Sequence, residues 1–97
     1  MADPLRYIGF AQKAGKCISG YEGVSIAVRK GRAKLVVGDE TLADNTRKKL
    51  ESVCRTHDIP LIYLREPGRA AGKEAIMCLA ILDDGLAEAI IESQKHA

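Results

Sequence analysis

An α/β sandwich is the fold class this sequence predicts, and three observations predict it. Apolar, β-branched runs at Leu35-Val36-Val37, Ile59–Leu64 and residues 75–82 alternate with segments of helical spacing. Glycine and proline mark the junctions, with Pro4 opening a helix, Gly15 ending it, Gly20 and Gly31 bounding a second, and Pro60 at the start of a strand. The composition, 46% apolar with Tyr7, Tyr21, Tyr63 and Phe10 as the aromatic residues, supplies a core of Ala, Val, Ile and Leu that suits helices packed on a sheet. Ninety-seven residues provide one such core, so residues 1–97 read as a single domain.

The elements follow in order. Asp3-Pro4 pairs a capping carboxylate with the residue favoured at the first helical position. Leu5, Ile8 and either Ala11 or Gln12 recur at helical spacing, Lys13 suits the last turn, and Gly15 stops the helix. Cys17-Ile18-Ser19 reads as a short extended link. Gly20 opens a second helix over roughly residues 21–30, packed by Val24, Ala27 and Val28 and ended by Gly31. Leu35-Val36-Val37 is a buried strand. Thr41-Leu42-Ala43-Asp44 fits a loose capping box for a third helix, with Leu50, Val53, Cys54 and His57 on its packed face. Arg47, Lys48 and Lys49 read as its solvated face. Pro60 confines the next strand to an edge or to its first residue. Residues 65–73 form a loop or short helix rich in small residues. The run from Ala75 to Leu82 reads as a strand covered on both faces. Asp83-Asp84-Gly85 caps a last helix packed by Leu86, Ala89 and Ile90.

Known reaction chemistries fail on spacing. A phosphate-binding loop ending at Gly72-Lys73 needs glycine where Pro67 stands, and Glu74 occupies the Ser/Thr position. Gly15, Gly20 and Gly23 do not fit a dinucleotide fingerprint. The serines at 19, 25, 52 and 93 have no neighbouring His or elbow motif. Asp83-Asp84 reads as a helix cap and Asp39-Glu40 as a turn. Cys17, Cys54 and Cys78 lack metal-ligand spacing, with His57 and His96 the histidines. No catalytic residue, metal or cofactor is expected. Cys54 and Cys78 read as buried thiols; Cys17, after Lys16, reads either as a small core residue or as an exposed, partly activated thiol. The odd thiol count and the absence of an apolar run of spanning length lead to the expectation of a soluble cytoplasmic protein with no membrane partner and no small-molecule substrate.

Cations and small residues converge at two places. Lys13, Lys16, Lys30, Arg32 and Lys34 flank the second helix, and Arg65, Arg69 and Lys73 flank the small-residue loop. The helix start near Gly20 offers unpaired N–H groups and a positive dipole end, suited to phosphate oxygens or base-edge acceptors. The other reading is ordinary surface charge, given a net charge of only +2. The scarcity of aromatics argues against a stacking platform for single-stranded bases.

Ala14-Gly15-Lys16, Gly20-Tyr21, the run from Ala27 to Val37, Asn45-Thr46-Arg47-Lys48-Lys49-Leu50-Glu51, Cys54, Ile59-Pro60 and Gly68-x-Ala70-x-Gly72 together resemble the ribosomal L7Ae/L30e kink-turn-binding family, in its bacterial YlxQ-type branch. The matches run in order over nearly the whole chain. The resemblance implies a three-layer α/β/α sandwich with a mixed sheet of about four strands. It also implies a non-catalytic binder of structured, kink-turn-like RNA, in or near the ribosome, that reads sheared G·A pairs with the helix after Gly20. The loop before Gly68 would pack on an extruded nucleotide. The binding residues carried over are Lys16, Gly20, Tyr21, Glu22, Gly23, Ile26, Lys30, Arg65, Gly68 and Arg69. Glu22 stands where the family usually has Asn or Lys, Gly23 where it has Glu or Gln, and Ile26 where it has Lys. Those three motivate the alternative, a protein-interaction module on the same fold, with Ile26, Val24 and Tyr21 as its apolar patch.

Overall fold

The computed structural model describes residues 3–72 and 76–95. Expectations that involve Met1, Ala2, Lys73, Glu74, Ala75 and His96 lie outside the described residues. The elements run α1 (Pro4–Lys13), β1 (Cys17–Ser19), α2 (Tyr21–Arg29), β2 (Leu35–Asp39), α3 (Asp44–Thr56), β3 (Leu61–Leu64), α4 (Pro67–Ala70), β4 (Cys78–Ile81) and α5 (Asp84–Lys95). They form the expected three-layer α/β/α sandwich around a four-stranded mixed sheet of order β1-β4-β2-β3. β4 is antiparallel to both β1 and β2, while β2 and β3 are parallel and joined through α3, since a parallel pair needs a crossover.

Side-chain alternation along the two central strands divides the core into two halves. Val36, Cys78 and Ala80 face α2 and α3, against Val24, Ala27, Val28, Leu50, Val53 and Cys54. Leu35, Val37, Leu79 and Ile81 face the other way, against Ile8 and Ala11 of α1 and Ala87 and Ile90 of α5. Both central strands are buried on both faces, which explains why they read as continuous apolar runs.

The first helix is capped as expected: Asp3 Oδ1 accepts from the Leu5 N–H at 3.0 Å, and Gly15 follows the helix with φ 70°. Other expectations need correction. Cys17–Ser19 is not a link but an edge strand, paired with Leu79–Ile81; three residues are too few to display a period of two. The capping box does not form. Thr41 donates both its N–H and its hydroxyl to Asp39 Oδ1, at 2.9 and 2.8 Å, so its side chain closes a turn and α3 starts later, behind Ala43. His57 is exposed at the end of α3, with Nδ1 on the Val53 carbonyl, rather than on the packed face. β4 begins at Cys78, later than the apolar run suggested, and α5 buries Ala87 in place of Ala89.

Candidate nucleic-acid interface

The strand register decides which loops share an end of the sheet. At one end the Gly20 N–H donates to the Cys78 carbonyl (2.9 Å), the Asp39 N–H to the Met77 carbonyl (2.8 Å) and the Glu40 N–H to the Leu64 carbonyl (2.9 Å). The start of α2, the β2–α3 turn, the β3–α4 loop and the segment before β4 therefore meet there. At the opposite end the Leu82 N–H donates to Lys16 and the Lys34 N–H to Ile81, both at 2.8 Å.

Of the expected binding residues, Gly20, Tyr21, Glu22 and Gly23 lie at the first end with Arg65, Gly68 and Arg69. Lys16 does not join them: it precedes β1 and sits at the far end of the sheet. Lys30 caps the far end of α2, whose nine residues span about 13 Å. Ile26 is midway along α2, four residues after Glu22, and both are exposed.

Gly20 adopts φ 91° and ψ 148°, a conformation close to glycine-only, and no side chain caps the helix. The first helical bond runs from Val24 N–H to the Gly20 carbonyl at 2.9 Å. The N–H groups of Tyr21, Glu22 and Gly23 precede it at the positive end of the helix dipole. Beside them opens a cleft of about 420 Å³ with Tyr21 on one wall, Thr41, Leu42 and Ala43 on a second, and Ile76 and Met77 on a third. Its walls are mainly apolar, and Met77 is exposed enough for a guest to reach it. Leu42 and Met77 had no functional signal in the sequence, because they are brought to Tyr21 by strand register alone.

The adjoining loop is sharply bent. Glu66 has φ 50° and leads directly into α4, where Pro67 and Gly68 are buried. Arg65 is exposed, and Arg69 Nη1 lies 3.0 Å from Glu66 Oε2, an exposed pair that adds about 0–1 kcal/mol.

Arg47 leaves the solvated face assigned to it. Its guanidinium lies 4.7 Å from the Tyr63 ring centroid and donates from Nη2 to the Glu40 carbonyl at 3.1 Å, while Nε is buried with no partner among the described residues. Tyr63 in turn donates to Glu51 Oε2 at 2.7 Å. Burial, then the Glu51 hydrogen bond, pushes the Tyr63 phenol up to about 12. This chain of contacts ties the β2–α3 turn, one wall of the cleft, to β3. Asp39 is buried, and its carboxylate is committed to Thr41, where it closes the turn. Among the described residues no cluster of three or more His, Cys, Asp or Glu side chains could hold a metal ion, and no helix is long and apolar enough to cross a membrane.

Comparison with known proteins agrees with this architecture. The chain is similar to the RNA-binding protein YlxQ of Bacillus subtilis (strain 168), with 36% identity over 87 residues and 87% of each chain covered. It is 30% identical over 87 residues to the RNA-binding protein YlxQ of Enterococcus faecium, covering 87% of this chain and 84% of that one. A solved structure of a protein with unknown function from Bacillus halodurans C superposes with a TM-score of 0.88 at 28% identity, over 95% of this chain and 96% of the other. The Giardia lamblia 15.5kD RNA binding protein shares the fold, with a TM-score of 0.76 at 20% identity over 91% and 78% of the two chains. A family model matches residues 5–91, and on that span the chain belongs to the ribosomal protein L7Ae/L30e/S12e/Gadd45 family.

Proposed function

We propose that this protein is a non-catalytic RNA-binding protein that takes a kink-turn-like structured RNA, in the ribosome or another ribonucleoprotein. The observation that carries the reading is the uncapped start of α2 beside the apolar cleft: three amides of the first turn stand next to a cleft of about 420 Å³ in which an unstacked base can be lodged. The N–H groups at a helix start donate to acceptor atoms on base edges and to phosphate oxygens without charge repulsion. Arg65 on the β3–α4 loop and Arg69 in α4 are both exposed and can meet the backbone around an extruded nucleotide. The names of the YlxQ relatives support RNA as the ligand class.

The family's usual side-chain readers are replaced here, so backbone amides carry more of the recognition. Glu22 faces outward and can accept from a base amino group. Lys16, at the opposite end of the sheet, has no part in this site, and Lys30 takes part only where the RNA runs the length of α2.

The test is a titration with a kink-turn RNA and with a control lacking the G·A pairs, at two salt concentrations. The expected result is tighter binding to the kink-turn, with Arg65→Gln and Arg69→Gln each reducing the salt slope by about one and Lys16→Gln leaving it unchanged. Equal binding to both RNAs rejects kink-turn recognition, and no binding at low salt rejects RNA as the ligand.

The protein-interaction alternative drew on an apolar patch of Ile26, Val24 and Tyr21. Ile26 is exposed at 48%, but Val24 is fully buried and Tyr21 half-buried. The patch shrinks to one side chain, and single exposed apolar residues are common on monomers.

A further inference from the structure

On the outer surface, α2 and α3 leave between them a second groove of about 530 Å³. Its charge is one-sided. Arg29 of α2 and Lys48 and Lys49 of α3 line it, with the hydroxyls of Ser52 and Thr56 between them and His57 at the end of α3. No carboxylate lines the groove among the described residues, and none of the three cations is ion-paired there. In a chain of 15 basic and 13 acidic residues, three unneutralised cations along one groove mark a local field rather than an overall bias.

Tyr21 lines both this groove and the cleft beside Gly20, so the two share a wall. The roughly 13 Å length of α2 is enough to lie along consecutive phosphates of one RNA strand. A duplex arm leaving the cleft can therefore follow α2 without losing contact with the protein.

We propose that the α2–α3 groove is a second, sequence-independent RNA contact, which takes the phosphate backbone of the duplex arm leaving the start of α2; the inference rests on the RNA-binding reading above. Lysines on flexible stems and serine or threonine hydroxyls suit phosphate oxygens, whereas they read no base edge at this distance from the cleft. Charge complementarity selects a polyanion. The groove adds affinity and salt dependence, and the cleft supplies selectivity.

The test compares wild-type protein with the Arg29→Gln/Lys48→Gln/Lys49→Gln variant, using a kink-turn RNA with a long arm and one with that arm cut back to the kink. The variant is expected to bind the long-arm RNA roughly tenfold more weakly, with a salt slope lower by about two to three, and to bind the short-arm RNA like wild type. An Arg6→Gln/Lys13→Gln/Lys95→Gln control on α1 and α5 removes the same charge from the opposite layer and is expected to keep the wild-type slope. All six side chains are exposed, and equal thermal midpoints verify folding. An unchanged affinity and slope on the long-arm RNA overturns the groove contact and leaves the RNA-binding reading standing. A wild-type protein that binds neither RNA at low salt overturns both.

Discussion

Gly23 sits so close to Ile18 that a Cβ built on it would lie 2.8 Å from Ile18 Cγ2. The first turn of α2 is thereby pressed onto β1, and the residue that looks like a lost reading position is a packing requirement. Two effects oppose each other on Gly23→Ala. Helix propensity favours alanine by about 1 kcal/mol, whereas overpacking costs about 1–3 kcal/mol. Ile18 is β-branched and stiff at χ1, so the methyl cannot swing away cheaply and overpacking wins. Gly23→Ala is expected to destabilise by about 1 kcal/mol in a denaturant midpoint, and the penalty should vanish in an Ile18→Ala background. A stabilised single variant would show that the helix yields.

The Arg47–Tyr63–Glu51 chain leads to an alkaline signature. Tyr63→Phe removes a hydrogen bond to a carboxylate, at a cost of about 1–2 kcal/mol. Because the folded-state pKa, about 12, lies above the ordinary 10, folding favours the protonated phenol. That contribution is complete below pH 10 and is lost as the pH climbs through about 12. Wild-type stability should therefore fall more steeply than that of Tyr63→Phe across this window, measured by unfolding at successive pH values. Parallel curves would place the phenol outside the network.

Burial pushes both the Cys54 and Cys78 thiols up to about 11, with Cys78 adding to the shift at Cys54. At pH 8 both stay protonated as well as enclosed, so a thiol reagent should reach them only through unfolding. Cys17, half-buried on the edge strand, should react first. The reaction is expected to be biphasic, one thiol and then two, merging into a single fast phase in denaturant. Three thiols reacting at one rate in the native protein would contradict this burial.

The parts of the fold that showed in the sequence are those with local causes. Asp3-Pro4 and Gly15 bound α1, and Gly20 and Gly31 bound α2 within a residue, because each relies on a cap or a positive φ that only its own neighbours determine. The site was only half legible. Lys16 is four residues from Gly20, yet β1 carries the chain across the sheet between them, and only the pairing of Cys17–Ser19 with β4 reveals that separation. Arg47 meets Tyr63 across a parallel crossover, and Met77 meets Tyr21 through register. Such contacts join residues that sequence spacing leaves apart.

Ile26 is the position where the surface can be turned toward stronger RNA binding. It is 48% exposed in the middle of α2, on the same face as Glu22, and no core residue depends on it. Replacing it with lysine exchanges a β-branched residue for a better helix former, so stability should change by no more than about 0.5 kcal/mol. A cation there, one turn from the unpaired amides, adds a phosphate contact without crowding the cleft. Ile26→Lys is expected to raise kink-turn affinity several-fold at low salt and to steepen the salt slope by about one, with the gain fading as salt rises. Ile26→Gln separates charge from apolar loss: it should leave the slope unchanged. If lysine strengthened binding equally at all salt concentrations, the contact would not be ionic, and the face of α2 bearing Glu22 would not lie against the backbone.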